Sequence, residues 1–376
     1  MTERKVTWLE LFFDLIFVTA VASTTHLLLS VDNHPDKTAA YFGEYLLMVT
    51  PMFWAWVGQT MFFNRFGEKI KWPELYMLSQ MFFLILMTAS FDLTFSNTYY
   101  TFLIGYLGIR FITVIQYFVI SKQLTGNAQK VALLLGSVFL LGVLTTATSV
   151  FFEGFARYLV MYLGIAVDII LPLFFAKTLR KVPVDFPHLA ERFGLFVIIT
   201  FGESIVAITT ILVGHTLDLY TICYTLLGFL IICTLWASYF YSFEKIVDHH
   251  KVTHGQFLIY GHFFIIVSVM LLAVNLHLLF EGHLQRDVLL LLLFSSVAVF
   301  FISKQFVFAA HKKAEVTFSF WKDALLLLLL VGLFFVNLYI NLPLFVSFVS
   351  IWVCALVDLG LQFRVSRPSP SLNKKR

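Results

Sequence analysis

The residues of this 376-residue chain that could do chemistry are charged side chains inside long apolar stretches. A charge at the centre of a bilayer costs about 2.5–3.5 kcal/mol on insertion scales, so an intramembrane charge is a functional candidate. We predict that five such residues bind or move a proton, an ion or a charged solute: Glu203, Asp168, Arg110, Glu10 and Asp14. None of them is expected to be a catalytic residue.

Glu203 has the position that is hardest to explain as a surface charge. It lies eleven residues past Arg192, about 16 Å along a helix, which places it near mid-membrane. The small neighbours Gly202 and Ser204 would let another helix approach closely. A role in coupling and a structural carboxylate paired with a buried cation both fit this position.

Two cations lie inside the predicted spans and are the plausible partners of a buried carboxylate: Arg110 and Lys304. Arg110 lies in the middle of its apolar stretch, and Asp168 lies eleven residues past Arg157 at a depth similar to that of Glu203. Arg110 would neutralise either Asp168 or Glu203. Buried pairs of this kind serve architecture or a transport cycle, and the sequence leaves both open.

Glu10 and Asp14 are spaced i, i+4 and therefore share one face of a helix. Two adjacent carboxylates would hold a proton between them or need a cation. Three uses remain open: proton coupling, a solvated helix entrance paired with an arginine or lysine of a loop, and a divalent-metal site of an enzyme acting on lipid.

A second set of polar residues is predicted to be structural or secondary. Lone histidines in membrane helices more often bond to a neighbouring helix than relay protons. The loop histidines His249, His250 and His254 lack a matching acidic or cysteine set, so we expect no metal and no cofactor. The secondary candidates are Arg192, Glu191, Lys304, Asp358, His26 and His262.

Composition indicates a membrane protein. The chain is 60% apolar and 13% charged, against about 45–50% and about 25% for soluble domains. Period-2 alternation, which marks a membrane β-barrel, is absent from the sequence. We predict an all-α, polytopic helix bundle with about twelve spans. The last two predicted spans could be two separate helices or one broken helix. The spans are 8–30, 40–63, 73–90, 98–120, 130–151, 157–177, 193–213, 218–241, 257–278, 287–309, 324–341 and 343–363.

Lys and Arg residues predict the orientation of these spans. Alternate loops and the two termini hold 21 of the 26 basic residues, the opposite loops hold Lys37, Arg157 and Arg286, and two lie inside spans. Because basic residues are retained on the cytoplasmic side, both termini are expected there. The net charge of +4 then reflects the inner-leaflet edge rather than a nucleic-acid surface.

Polar landmarks recur at an offset of 189 or 190 residues. The pairs are Asp14 and Glu203, His26 and His215, Asp92 and Glu281, Gln116 and Gln305, and Asp168 and Asp358. This offset predicts a six-plus-six internal repeat of parallel topology. The halves would be 1–177 and 193–363, joined by a central cytoplasmic loop at 178–192 and followed by a cytoplasmic tail at 364–376.

Three motifs give the chain a resemblance to a known family. They are Trp8-Leu-Glu10-Leu-Phe-Phe-Asp14, Trp54-Ala-Trp56 followed by Asn64-Arg65-Phe66, and Glu191-Arg192-Phe193-Gly194 leading to Gly202-Glu203-Ser204. With Tyr106, Arg110, Asp168, Tyr260 and His262, they resemble the low-temperature-requirement A (LtrA) family of bacterial membrane proteins over essentially the whole chain. The segment after Phe66 departs from that family's usual acidic character, since it reads Gly67-Glu68-Lys69.

The resemblance implies a bacterial cytoplasmic (inner) membrane protein but no activity. We expect an ion- or proton-coupled secondary transporter of an unspecified small solute or ion, because charges lie deep in the spans and no ATP-harvesting domain is recognisable. The alternative is a membrane sensor or scaffold for cold or envelope adaptation. An enzyme acting on lipid is the weakest of the three, and we expect no enzymatic activity. The expected partners are the bilayer and that solute or ion, and no nucleic acid.

Overall fold

The structure is a computed structural model that describes residues 4–32, 34–91, 95–316 and 320–365. Helices dominate the described residues, where the only β pairing is an isolated bridge between Val247 and Lys312. The helices are α1 (Trp8–Leu29), α2 (Thr38–Phe66), α3 (Pro73–Thr88), α4 (Phe95–Ser121), α5 (Gly126–Thr148), α6 (Gly154–Phe174), α7 (Ala176–Leu179), α8 (Phe186–Gly214), α9 (Leu219–Lys245), α10 (Gln256–Glu281), α11 (Arg286–His311), α12 (Phe320–Tyr339) and α13 (Leu344–Val365).

Eleven of the described helices are long and apolar enough to cross a membrane. The remaining predicted span, 73–90, corresponds to α3, which is apolar but has only 16 residues. At 1.5 Å per residue this helix is about 24 Å long, somewhat short of a hydrocarbon core of about 30 Å. Leu75, Leu78, Phe82 and Ile85 are all more than half exposed along one face of α3. Such an apolar stripe fits contact with lipid.

The last two predicted spans are two separate helices. α12 ends at Tyr339 and α13 begins at Leu344. Asn341 between them has a φ of 59°, a left-handed conformation that a short polar side chain tolerates. Arg286 at the start of α11 donates to the carbonyls of Asn337 and Leu342, which stabilises this turn.

The predicted central loop at 178–192 is only partly a loop. α8 begins at Phe186, so Arg192 lies within the second turn of a 29-residue helix. The prediction was wrong here because polar residues in 185–192 were assigned to a loop. In the structure His188 and Arg192 are buried, Asp185 is half-buried and Glu191 is exposed.

A capping box starts α1. The Thr7 backbone N–H and hydroxyl each donate to Glu10 Oε2 at 2.9 Å, and the Glu10 N–H donates to Thr7 Oγ1 at 3.3 Å. This reciprocal arrangement satisfies backbone donors that a helix start leaves without partners. One oxygen of Glu10 therefore has a structural role.

The chain forms two compact units. Unit 1 comprises 1–27, 39–195 and 252–256, and unit 2 comprises 28–38, 196–251 and 257–376. In unit 1, α3, α4, α5 and α6 pack in sequence order, and in unit 2, α11, α12 and α13 do the same while α9 packs on α13. The unit boundary lies inside α8, close to but not at the predicted division.

The predicted repeat remains a prediction. In unit 1 the helix with the largest buried share is its second span, α2, whereas in unit 2 it is the third span, α10. The two units are therefore not copies in every respect. Asp92 and the tail beyond residue 365 lie outside the described residues, as does the side chain of His26.

Candidate functional site

A buried ion pair joins α1 and α8 in unit 1. Arg192 Nη2 donates to Asp14 Oδ1, and Arg192 Nε donates to Asp14 Oδ2 at 3.3 Å. The indole N–H of Trp56 donates to the same carboxylate at 2.7 Å. All three side chains are buried. Asp14 thus accepts hydrogen bonds at both oxygens, as a buried carboxylate must to offset its desolvation.

Glu10 extends this ion pair to a larger cluster. Its Oε1 lies 3.7 Å from Arg192 Nη1, 3.6 Å from Arg4 Nη2 and 3.3 Å from His188 Nε2. Glu10 is fully buried, so the solvated helix entrance expected as one alternative is wrong. Of its two arginine partners, Arg4 precedes α1 outside any helix, as that alternative supposed, and Arg192 belongs to α8. We refer to Arg4, Glu10, Asp14, His188 and Arg192 as the α1–α8 cluster.

Asn64 determines which tautomer His188 adopts. Its Oδ1 accepts from the Asp185 N–H at 2.9 Å and its Nδ2 donates to the Asp185 carbonyl at 2.8 Å, so the orientation of the amide is fixed. The same Nδ2 lies 3.2 Å from His188 Nδ1. Because this nitrogen faces a donor, it acts as an acceptor, and the proton of a neutral imidazole is on Nε2, facing Glu10.

Arg65 binds two non-helical segments of unit 1, the one before α8 and the one before α10. Its Nε donates to the Val182 carbonyl at 3.2 Å and its Nη2 to the His254 carbonyl at 3.4 Å. The Val184 N–H also donates to the carbonyl of Thr253. Segment 252–256, which follows α9 in the chain, is thereby held in unit 1.

Arg110 and Asp168 form the second buried pair, between α4 and α6. Arg110 Nε donates to Asp168 Oδ2 at 2.8 Å, and the Tyr106 hydroxyl donates to the same oxygen at 3.0 Å. Arg110 and Asp168 are 1% and 3% exposed. Of the two carboxylates considered for Arg110, the structure pairs it with Asp168. Asp168 Oδ1 is buried without a hydrogen-bond partner.

Glycines provide the space for this pair. A Cβ at Gly142 on α5 would overlap Asp168 Oδ1, and a Cβ at Gly58 on α2 would overlap Arg110 Nη1. Beside the pair, Gln80 Nε2 donates to Gln59 Oε1 and to Thr113 Oγ1, each at 3.0 Å. The interior of unit 1 is therefore polar along α2, α3 and α4.

Lys304 and Asp358 form the third buried pair, in unit 2. Lys304 Nζ donates to Asp358 Oδ2 and, at 2.6 Å, to Ser238 Oγ, while Ser238 Oγ donates to Asp358 Oδ2. Gln362 Nε2 donates to Asp358 Oδ1 at 3.3 Å. Lys304 is 1% exposed and Asp358 is 3% exposed. Both residues were secondary candidates in the sequence.

The remaining predicted site residues lie apart from these pairs. Glu203 is half-buried on α8, and Glu191 is exposed. His262 is buried and its Nε2 lies 2.6 Å from the Tyr239 hydroxyl, the helix-to-helix bond expected of a lone membrane histidine. The described residues contain no group of three or more His, Cys, Asp or Glu side chains placed to hold a metal ion.

His188, Asn64 and Ser238 were missed in the sequence. Asn64 was visible as part of the Asn-Arg-Phe motif, yet its partner is a backbone segment 121 residues away. His188 was hidden because 178–192 was taken for a loop. Nothing in the sequence distinguishes Ser238 from other serines of the apolar helices.

The motifs that carry the resemblance meet in unit 1. Glu10 and Asp14 come from the first motif, Trp56 and Asn64 from the second, and Arg192 from the third. The ring of Phe193, next to Arg192, packs edge-on to Trp56 with centroids 4.9 Å apart. Three segments that are distant in the sequence thus build one buried cluster.

The chain matches a known family over nearly its whole length. The family model described as "Bacterial low temperature requirement A protein (LtrA)" matches residues 5–359. An uncharacterized protein of Rhizobium meliloti (strain 1021) is 25% identical over 302 residues, covering 73% of this chain and 69% of the relative. The protein is therefore a polytopic helical membrane protein that belongs to the bacterial low temperature requirement A (LtrA) family.

Proposed function

We propose that this protein is a secondary transporter coupled to an ion or a proton, and that Arg110–Asp168 and Lys304–Asp358 are its coupling pairs. The observation that carries the proposal is the placement of these two pairs. In each unit the cation of the pair lies on the fourth span and the aspartate lies on the sixth. All four residues are at most 3% exposed. Intramembrane ionisable residues of this kind mark ion pathways and proton relays.

The cost of these charges supports a functional role. Well-packed apolar residues often replace a buried ion pair at no loss of stability, so a buried pair is weak evidence for a stabilising purpose. Two such pairs at matching spans in the two units are what a transporter built from parallel repeats would use near its midplane. Glu203, half-buried in unit 2, is a further residue for the solute or ion to contact.

The α1–α8 cluster has a different role in this proposal. Both oxygens of Asp14 are occupied and Glu10 caps its own helix, so the cluster fixes the packing of α1, α2 and α8. The same observation favours the second candidate function, a membrane sensor or scaffold whose charges are architectural throughout. In either case we propose a bacterial cytoplasmic membrane with both termini cytoplasmic.

A double-mutant cycle separates the two functions. Arg110→Leu and Asp168→Leu each leave an uncompensated buried charge, whereas the double variant removes both charges. For an architectural pair, the double variant has the same thermal stability and the same flux as the wild type. For a coupling pair, its stability recovers while flux into proteoliposomes, followed with pH- and potential-sensitive dyes over a panel of cations, anions and amino acids, stays absent.

A further inference from the structure

A groove lies between α1 and α3 in unit 1. Its volume of about 540 Å³ falls within the range of about 300–1,000 Å³ that is typical of pockets for small molecules. The residues of α1 that line it are spaced i, i+3, i+4 and i+7, and therefore share one helix face: Ile16, Thr19, Ala20 and Ser23. The other side is formed by the last turn of α3, with Ile85 and Thr88, and by Ala89 just after it. The groove thus follows α1 for about two turns and reaches the end of α3.

The groove offers a ligand apolar contacts rather than hydrogen bonds. The hydroxyls of Thr19 and Ser23 donate to the carbonyls of Leu15 and Thr19 at 2.8 and 2.9 Å. The Thr88 hydroxyl donates to the Leu84 carbonyl at 2.9 Å. All nine described residues that line the groove are uncharged. Because an apolar cavity gives water too few hydrogen-bond partners, the groove suits an apolar ligand.

Exposed apolar stripes on both helices lead into the groove. On α3, Ile85 is the last residue of the exposed stripe described above, and it lines the groove. On α1, Phe12, Leu15 and Thr19 are exposed at i, i+3 and i+7, and Thr19 lines the groove from the other side. The groove is therefore a recess in the surface that these two helices expose to lipid.

The length of α3 favours a lipid chain over a protein helix in this recess. α3 spans about 24 Å of a hydrocarbon core of about 30 Å, which leaves about 6 Å of that core uncovered. The groove lies at the end of α3, where this thickness is missing. Lipid next to a short helix adapts its packing to the helix end. A flexible acyl chain follows that end, whereas a rigid helix about 10–12 Å wide does not.

We propose that the groove between α1 and α3 is a binding site for an acyl chain of a membrane phospholipid. The site goes beyond the proposed transport function and does not depend on it. Since lipid tails are as apolar as the side chains, the chain is held by van der Waals packing rather than by the hydrophobic effect. The bound chain packs against the helix that carries Glu10 and Asp14, so it supports α1 on the side that α3 leaves open.

Photocrosslinking of the full-length protein to lipid tests the site. The protein is reconstituted in phosphatidylethanolamine–phosphatidylglycerol vesicles that contain a trace of phosphatidylcholine with a diazirine midway along one acyl chain. After illumination, mass spectrometry measures the crosslinks per residue. Segments 16–23 and 84–91 should be crosslinked about fivefold more than segment 155–163 of α6, because a chain held in a groove leaves more slowly than a chain of the bulk bilayer. Phe155, Leu159 and Leu163 of that reference segment are exposed and lie outside the groove.

Matched variants locate the bound chain. Ala20→Leu and Ala89→Leu each place a larger side chain in the groove, so crosslinking of both segments should fall to the level of the α6 segment. Ala156→Leu changes an exposed alanine of α6 that does not line the groove, and should keep the wild-type pattern. Thermal unfolding checks that each variant is folded. Should Ala20→Leu, at a buried position, fail to fold, Ala89→Leu at an exposed position tests the same groove by itself.

Two results overturn the inference. The first is wild-type crosslinking of 16–23 and 84–91 at or below the level of the α6 segment, which is the result expected if a helix of a second copy or of another protein covers the groove. The second is a folded Ala89→Leu protein that is crosslinked at both segments as strongly as wild type. Neither result bears on the proposed function, which is decided by flux in proteoliposomes.

Discussion

Arg192 and Asp14, 178 positions apart in the chain, form a two-point ion pair between α8 and α1 in unit 1. Trp56 donates to the same carboxylate from α2, so three helices meet at one aspartate. The pair lies in a fully buried environment. Its integrity is therefore a condition for the packing of unit 1.

The Asp14–Arg192 pair predicts strong coupling between two substitutions. Asp14→Leu or Arg192→Leu should each destabilise the protein by about 3–5 kcal/mol, because one buried charge loses its partner. The double variant should lose less than the sum of the two. Thermal unfolding in detergent measures this, with Lys5→Ala at an exposed position as control. Additive losses would show that the two charges do not depend on each other.

Gly142 and Gly58 predict a steric requirement beside Arg110–Asp168. Gly142→Ala places a methyl group on Asp168 Oδ1, and Gly58→Ala places one on Arg110 Nη1. Each should cost about 1–3 kcal/mol through overpacking. Gly202→Ala on α8 is the matched control, since a Cβ there meets no atom within 4 Å. Equal thermal stability of all three variants would contradict the close packing.

Asn64 predicts a specific loss of order in the segment before α8. Asn64→Asp keeps the acceptor for the Asp185 N–H but removes the donor to the Asp185 carbonyl and to His188. Hydrogen exchange of residues 182–188 should become faster than in wild type. Arg65→Lys should instead make hydrogen exchange faster around Val182 and His254, whose carbonyls Arg65 contacts. Identical exchange in both variants would show that the two side chains act as one unit.

His254 predicts a pH dependence at segment 252–256. Burial, followed by the nearby charges of Arg180 and Arg65, lowers the pKa of His254 from 6.5, and its Nδ1 accepts a hydrogen bond from the Gln256 N–H. The neutral form is therefore the one the fold favours. Its stabilising contribution is complete above the ordinary pKa and is lost as the pH falls below it.

Hydrogen exchange of the Gln256 amide measures this dependence. After correction for the intrinsic rate, the amide should be better protected at about pH 7.5 than at about pH 5. A His254→Asn variant should show no such difference. Protection that stays constant across this range in the wild type would mean that His254 does not hold the segment.

Much of the fold followed from apolar length and polar punctuation. The twelve predicted spans each correspond to a helix, and Asn341 with Pro343 marked the turn between α12 and α13. The start of α8 was misplaced because a polar stretch that packs against protein has the same composition as a loop in water. Sequence periodicity does not distinguish these two environments.

The candidate site was only partly predictable. Depth along a helix identified Asp168 and Arg110, and the structure joins them. The same reasoning ranked Glu203 first, but depth does not indicate which side of a helix faces protein, and Glu203 is half-buried whereas Asp168 is buried. Lys304 and Asp358 were named separately, since a contact across 54 positions leaves no local signal.

Proton and ion flux in proteoliposomes tests the central claim most directly. Wild-type protein should acidify or alkalinise the lumen in response to an imposed ion gradient, and Asp358→Asn and Asp168→Asn proteins of equal insertion should not. Vesicles with wild-type protein that behave like protein-free vesicles for every ion and solute tested would contradict the account and favour a sensor or scaffold.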